Sequence, residues 1–231
     1  MSIRPRDQLV IALDGPAGAG KSTAARRLAE RLGYVLVDTG ALYRGLALAA
    51  IERGISLEDG EALGRLADGL ALAFVRDDAG HDRLTIDDVD RSGDIRTPQI
   101  SDGASRVSRH PAVRAALLGL QRRLGARGNV VLEGRDIGTV VFPDAEVKVF
   151  LTASDEARAA RRFDELTRAG HAVTRDEVLA EIRARDRRDS ERDVAPLKPA
   201  DDAVLLDTSS LALDEVIERL VALAEERIGR P

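Results

Sequence analysis

The residues best suited to chemistry are the lysine and serine that end the stretch GPAGAGKS, at positions 15–22. This stretch fits the pattern G-x-x-x-x-G-K-[ST], whose glycines let successive backbone N–H groups face one anion. Lys21 can reach the β- and γ-phosphates of a nucleoside triphosphate, and the Ser22 hydroxyl can ligate Mg²⁺. The predicted phosphate-binding residues are Gly15, Pro16, Ala17, Gly18, Ala19, Gly20, Lys21, Ser22 and Thr23.

Short apolar runs and helical patterns alternate around this loop, and the loop itself lies between a run and a helix. The predicted strands are LVIAL (9–13), YVLVD (34–38), NVVLE (129–133), VKVFL (147–151) and AVLLD (203–207). The predicted helices are Ser22–Leu32, Leu42–Arg53, Ala112–Arg123, Asp155–Ala169, Arg175–Arg185 and Leu213–Ile228. Strands separated by helices indicate an α/β fold, here a five-stranded parallel sheet flanked by helices. The stretch from Leu72 to Ile95 interrupts this alternation and predicts a small β-rich insertion.

Composition excludes several classes of site. The chain has 231 residues, a net charge of −5 and no cysteine, which rules out a thiol nucleophile and a disulfide framework. The histidines, His81, His110 and His171, are scattered and form no metal-ligand pair. The chain has no overall positive charge that would favour a nucleic-acid partner, and no segment of it predicts a membrane span. We therefore expect a cytoplasmic protein, and a monomer.

Sequence motifs outside the loop indicate which class of phosphate-binding protein this is. The single asparagine, Asn129, precedes VVLEG, so the base-reading motif N-K-x-D of GTPases is impossible. Large ATPases place an acidic pair at a strand end, where this chain offers only Glu133. The size and the many arginines favour a kinase that acts on a small acceptor. A slow nucleotide-dependent switch protein is the alternative from another class.

Three clusters are candidates for acceptor binding. In DTGALYR (38–44), Asp38 and Thr39 are placed to cap a helix whose first turn carries Arg44. In LEGRDIGTVVFPDA (132–145), an Arg–Asp pair follows the third strand, at the sheet edge where α/β proteins bind ligands. RARDRRDSER (183–192) concentrates arginine and is interpreted either as a solvated helix or as a lid that closes over phosphates.

These clusters together resemble the bacterial cytidylate (CMP) kinase family. The resemblance extends through DGPAGAGKST, DTGALYR, SGDIRTPQIS, SRVSRHPAVRAALL, EGRDIGTVVFPDA, RARDRRDSERDVAPL and LLDTSSLALDEVI. It implies a nucleoside monophosphate kinase-like fold in one kinase unit, 1–231. The core would be 7–71, 106–160 and 193–231, with an acceptor-region insertion at about 72–105 and an arginine-rich lid at about 161–192. No function is predicted for the turn-like segment 76–83.

The same resemblance implies a role for individual residues. Thr39, Arg114 and Asp136 would read cytosine, Ser105, Arg185 and Asp189 would hold the ribose hydroxyls, and Arg44, Arg135 and Arg192 would bind the acceptor phosphate. Lys21, Arg135, Arg185 and Arg192 would neutralise charge on the transferred group. The implied reaction transfers the γ-phosphate of Mg-ATP to CMP, and also to dCMP. A kinase for another acceptor, such as UMP, is the nearest alternative.

Overall fold

The computed structural model describes residues 8–78 and 82–229. The elements are β1 (Val10–Asp14), α1 (Lys21–Leu32), β2 (Val35–Asp38), α2 (Thr39–Glu52), α3 (Gly60–Gly69), β3 (Leu72–Arg76), β4 (Asp82–Ile86), β5 (Val89–Asp90), α4 (Pro98–Val107), α5 (Pro111–Gly125), β6 (Val130–Glu133), β7 (Val147–Thr152), α6 (Asp155–Arg168), α7 (Arg175–Ser190), β8 (Val204–Asp207) and α8 (Leu213–Gly229). A 3₁₀ turn covers Asp94–Arg96, and a single π-helical turn covers Ile137–Val141. Of the turn-like segment 76–83, residues 79–81 lie outside the described residues, as does the chain before Gln8.

The described residues divide into two compact units. The first comprises the described parts of Met1–Val37, Gly125–Glu191 and Ala195–Pro231. The second comprises Asp38–Leu124, without residues 79–81, together with Arg192–Val194. The cluster at 38–44 lies in the second unit and the cluster at 132–145 in the first, whereas the cluster at 183–192 belongs to the first unit up to Glu191 and to the second at Arg192.

A five-stranded sheet forms the centre of the first unit, in the order β2-β6-β1-β7-β8. β1 pairs in parallel with β6 and with β7, and β7 pairs in parallel with β8. The two strands β1 and β6 are buried along their whole length, and each is apolar up to its last residue, which is Asp14 in β1 and Glu133 in β6. The predicted α/β fold with a parallel sheet is confirmed. In this order, the carboxyl ends of β1, β6 and β7 meet at one edge, where ligands bind in open α/β sheets.

Helices α1 and α8 supply the apolar cover of this sheet. Leu28 of α1 and Leu220 of α8 are buried in one cluster with Ile11, Leu13 and Leu151 of the strands. α1 begins at Lys21 directly after the glycine loop, so its packing holds the N-terminus of the helix at the carboxyl end of β1. The core therefore fixes the position from which the loop presents its N–H groups.

The second unit contains the predicted β-rich insertion as a three-stranded antiparallel sheet, β3-β4-β5. Residues 96–105 of the insertion are mainly helical, however. Thr97 caps α4 through its hydroxyl, which accepts a hydrogen bond from the Ile100 N–H at 3.2 Å, and Pro98 occupies the first turn. Helix α3 was also not predicted from the sequence. No helix among the described residues is long and apolar enough to cross a membrane.

Candidate active site

The loop between β1 and α1 turns sharply at glycines with positive φ angles. Gly15 has a φ of +145°, and a Cβ there would lie 1.9 Å from the backbone oxygen of Leu151. Gly20 has a φ of +88° and precedes the first residue of α1. Among the described residues, no side chain caps the N–H groups of this first turn. The helix N-terminus thus offers its N–H groups to an anion, and phosphate binding by residues 15–23 stays a prediction.

Lys21 is buried beside the loop, with 6% of its surface exposed. Its Nζ donates a hydrogen bond to the Pro16 carbonyl at 2.7 Å. Burial holds the pKa of Lys21 well below its usual range, and the nearby positive charges of Arg135 and Arg185 lower it further, while Glu133 opposes them. Three of the cations predicted to act in catalysis therefore influence one another in the first unit. Such a concentration of positive charge favours a polyanionic ligand.

Ser22 and Glu133 bring a hydroxyl and a carboxylate together beside the loop. The Ser22 hydroxyl donates to Glu133 Oε2 at 2.8 Å. Glu133 is buried at the end of β6, next to Leu13 of β1 in the sheet register. Mg²⁺ prefers oxygen ligands, and a hydroxyl with a carboxylate fits that preference. The sequence indicated Ser22 alone as a metal ligand; Glu133 was noticed only as an acid at a strand end.

Arg135 and Asp189, predicted as separate ligands of the acceptor, are paired in the structure. Arg135 Nε donates to Asp189 Oδ2 at 3.0 Å, and only 4% of the Asp189 side chain is exposed. Arg135 follows β6, whereas Asp189 lies near the end of α7, so the pair joins the sheet edge to the arginine-rich segment. Asp136 is the next residue along the chain and is also buried. The first unit thus brings together one basic and two acidic candidates.

The arginine-rich segment is part of a helical hairpin with its own small core. Leu166 of α6 packs with Val178 and Ile182 of α7. The N-terminus of α7 carries a capping box, in which Thr174 and Glu177 satisfy each other's backbone N–H groups. α7 continues to Ser190, five residues beyond the predicted end at Arg185. Both Arg185 and Asp189 consequently project from regular helix.

Arg158 of α6 is a residue that the sequence did not distinguish from the other arginines. Its side chain is 4% exposed, and its Nη1 donates to the Ala17 carbonyl of the glycine loop at 2.9 Å. The same nitrogen lies 2.6 Å from Asp186 Oδ2 of α7. Nε donates to the Ala153 carbonyl at 3.1 Å. Arg158 therefore connects the phosphate loop with both helices of the hairpin.

In the second unit, Asp38 caps α2 and Arg44 pairs with it. Asp38 Oδ1 accepts from the Ala41 N–H at 3.0 Å, which confirms the predicted cap. Arg44 Nη2 donates to Asp38 Oδ2 at 2.6 Å. A Cβ on Gly40 would lie 3.1 Å from both side chains, so the absence of one lets them approach. Thr39, which was also predicted as a cap, is instead the first residue of the helix and is buried, and Arg44 therefore lies in the second turn and not in the first.

The second unit also buries Ser105 of α4 and Arg114 of α5. The Arg114 guanidinium carbon lies 5.8 Å from the centre of the Tyr43 ring, within the range of a cation–π contact. Arg114 Nη1 donates to the Ser108 carbonyl at 3.4 Å. Buried polar side chains of this kind are usually hydrogen-bonded. Arg192, which is 8% exposed, is assigned to this unit.

Comparison with known proteins identifies the relatives of this chain. A family model described as cytidylate kinase matches residues 11–226. A cytidylate kinase from Syntrophotalea carbinolica is 51% identical over 220 residues, which are 95% of this chain and 93% of the relative. One from Geobacter sulfurreducens is 48% identical and covers 98% of this chain and 97% of its own. Among solved structures, a shikimate kinase from Acinetobacter baumannii with shikimate matches at a TM-score of 0.50 and 16% identity, covering 98% of this chain and 100% of its own.

Proposed function

Because this chain belongs to the cytidylate kinase family, as its motifs predicted, we propose that it transfers the γ-phosphate of ATP to CMP, and also to dCMP. The observation that carries the proposal is the gathering of Lys21, Arg135 and Arg185 beside the glycine loop. These charges lower the pKa of Lys21 in the absence of phosphates, and a polyanion would neutralise them. The cluster therefore suits a site in which two phosphate-bearing molecules meet.

The phosphates of ATP would be held by the loop and by the first turn of α1. Residues 15–23 supply backbone N–H groups, and Lys21 supplies a positive charge to the β- and γ-phosphates. Ser22 and Glu133 would hold Mg²⁺, either directly or through water. The ion, when bound, would neutralise charge on the phosphate oxygens.

We assign the acceptor residues by the roles that the family motifs imply. Thr39, Arg114 and Asp136 recognise cytosine, Ser105, Arg185 and Asp189 hold the ribose hydroxyls, and Arg44, Arg135 and Arg192 bind the phosphate of CMP. A carboxylate at Asp136 accepts a hydrogen bond from the exocyclic amine of cytosine and repels the carbonyl of uracil. Planar guanidinium groups suit the phosphate, since each donates two parallel hydrogen bonds.

The chemistry needs no general base. A phosphate oxygen of CMP is already anionic; it attacks the γ-phosphorus in line, its new P–O bond forms, and the bond to the β-phosphate oxygen breaks to leave ADP. Lys21, Arg135, Arg185 and Arg192 neutralise the charge on the transferred group, and a well-placed arginine in related reactions contributes about 10³–10⁵ in rate. Catalysis is therefore positioning together with charge neutralisation.

Exclusion of water is the second requirement, and we assign it to the lid at 161–192. Most of this segment belongs to the α6–α7 hairpin, whose own small core suits movement as one body. A lid that closes only over both nucleotides prevents transfer of the phosphoryl group to water. We further propose that the chain acts as one kinase unit and as a monomer.

A nucleotide panel tests this function. Coupled ADP release with Mg-ATP is measured for CMP, dCMP, UMP, AMP and GMP. We expect kcat/KM to be highest for CMP and dCMP. A rate that does not depend on the acceptor would favour the switch protein, and a preference for UMP would favour the other kinase.

A further inference from the structure

Asp14, the last residue of β1, lies behind the acceptor motif and has no role in the reaction described above. Its carboxylate is 5% exposed and accepts two backbone hydrogen bonds, one on each oxygen. The Ile137 N–H donates to Oδ1 and the Gly138 N–H donates to Oδ2, both at 2.8 Å. The bonds join positions 123 and 124 residues apart in the sequence. One buried side chain thus joins the start of the phosphate loop to the segment after Asp136.

These two N–H groups belong to the π-helical turn that begins immediately after Asp136. The Asp136 carbonyl accepts from the Val140 and Val141 N–H groups at 2.9 and 3.2 Å. The start of the turn is thus bound to Asp14, and its end is bound to Asp136. Single π-helical turns are frequent at functional sites. Because Ile137 directly follows Asp136, the direction of the Ile137 N–H also fixes the peptide plane on which Asp136 is carried.

Gly138 shows how closely this turn is held. A Cβ at this position would lie 3.5 Å from Asp14 Oδ2 and 3.2 Å from Lys148 Cδ. Lys148 is itself held, since its Nζ donates to both carboxylate oxygens of Asp202 at 2.9 Å. The turn therefore packs between one fixed carboxylate and one fixed lysine stem, with little room to shift.

We propose that Asp14 is a positioning residue that sets Arg135 and Asp136 for recognition of the acceptor nucleotide, and that it determines the preference for cytosine. The proposal rests on the proposed function. Both hydrogen bonds that Asp14 accepts come from backbone N–H groups, so it acts through the turn. An isosteric amide cannot replace it: one side of an asparagine would present N–H groups to a backbone N–H donor, and one of the two bonds would be lost.

The charges around Asp14 leave its carboxylate ionised at neutral pH, as this role requires. Burial raises the pKa of Asp14 to about 6, with a smaller rise from the charge of Asp136, while the two N–H donors and Lys21 oppose the rise. Glu133, beside β1, and Lys148, beneath the turn, are the other charged groups on the neighbouring strands. At neutral pH the carboxylate is thus ionised and can accept both bonds, and acid removes one acceptor.

Steady-state kinetics of Asp14→Asn tests the proposal. We expect KM for CMP to rise about tenfold or more, as for loss of a hydrogen bond to a charged group, while KM for ATP changes by less than about twofold. The preference for CMP over UMP should fall with it. Asp59→Asn is the matched control, because Asp59 caps α3 by accepting from the Ala62 N–H at 2.9 Å and asparagine caps equally well.

A pH profile separates positioning from general damage. The ratio of wild-type to Asp14→Asn kcat/KM for CMP cancels the titration of the substrates, and it should fall as the pH drops through about 6. A folded Asp14→Asn with unchanged KM for CMP, or with equal rises for CMP and ATP, would overturn the proposal. If the wild type itself does not phosphorylate CMP, the proposed function fails instead.

Two further measurements apply if Asp14→Asn does not fold. Gly138→Ala crowds the same turn, because its Cβ would lie 3.2 Å from Lys148 Cδ, and we expect it too to raise KM for CMP more than KM for ATP. In the wild type, the amide proton shifts of Ile137 and Gly138 should titrate together with a midpoint near the pKa of Asp14, about 6. Kinetics of Gly138→Ala equal to wild type, or amide shifts without that titration, would contradict the proposal.

Discussion

Replacing Arg158 with alanine removes the residue that connects the phosphate loop to the helical hairpin. The change deletes the hydrogen bonds to the carbonyls of Ala17 and Ala153 and the ion pairs with Asp186 and Asp155. Asp186, with 20% of its side chain exposed, then keeps a carboxylate near the loop without its nearest cation. Burial already raises the pKa of Asp186 despite the opposing charge of Arg158, so loss of that charge should raise it further.

The loss of unfolding free energy in Arg158→Ala depends on how deeply the ion pairs of Arg158 are buried. Removing one partner of a buried ion pair costs about 3–5 kcal/mol, because the other charge remains buried. The Asp155 contact adds little, since 37% of that side chain is exposed and solvent screens the pair. We therefore expect Arg158→Ala to lower the free energy of unfolding by about 3 kcal/mol, a large share of the ~5–15 kcal/mol typical of proteins.

Urea denaturation followed by far-UV circular dichroism measures this loss. Arg31→Ala is the matched control, since the Arg31–Glu218 pair has a distance of 3.4 Å and side chains 58% and 65% exposed. The control should change the free energy of unfolding by less than about 1 kcal/mol. Arg158→Ala should also raise KM for ATP, because the Ala17 carbonyl loses its donor. A loss within about 1 kcal/mol of that of the control would refute the reasoning.

Four other predictions concern the site. Lys21→Ala should abolish most of kcat while the free energy of unfolding stays the same or rises, because burial disfavours the ammonium; kinetics and urea denaturation check this. Asp136→Asn should lower the ratio of kcat/KM for CMP to kcat/KM for UMP, because the lost contact is worth about 1–3 kcal/mol of discrimination. An unchanged ratio would mean that Asp136 does not recognise the base. Arg192→Ala should weaken CMP use by about 1.5–3 kcal/mol without weakening ATP binding, as measured by calorimetry. Since the folded pKa of Asp14 is raised from 3.8 to about 6, its stabilising contribution is full at low pH and is lost on going up to neutral pH. The advantage of wild type over Asp14→Asn in unfolding free energy should therefore fall by about 3 kcal/mol between about pH 4 and about pH 7.

The central strands and the phosphate loop could be predicted from the sequence because their signals are local. The run at 9–13 is a continuous apolar segment, and the observed strand Val10–Asp14 differs by one residue at each end. Helix α4 could also have been found, since Thr97 and Pro98 form a recognisable start signal. Residues 96–105 were included in the β-rich insertion instead. Helix α3 has glycine at both ends and in the middle, and each glycine lowers the helix propensity of the segment, so the sequence carries no clear helix signal there.

The supporting residues of the site could not be predicted, because their partners are remote in the sequence. Arg158 is one of many arginines, and its partner Ala17 lies 141 positions away. The Asp14 carboxylate faces N–H groups that only the folded sheet brings to it. Glu133 meets Ser22 for the same reason, at a separation of 111 positions. Motifs indicate which residues meet a ligand, whereas the residues that hold them in place are identified by the fold.

Transfer of a labelled phosphate tests the proposed reaction most directly. The wild-type protein is incubated with γ-³²P-labelled ATP, Mg²⁺ and CMP, and the products are separated by chromatography. We predict that the label appears in CDP, in its terminal phosphate, and that omission of CMP leaves the ATP largely intact. Label found only in inorganic phosphate, at a rate unaffected by CMP, would contradict phosphoryl transfer to the nucleotide.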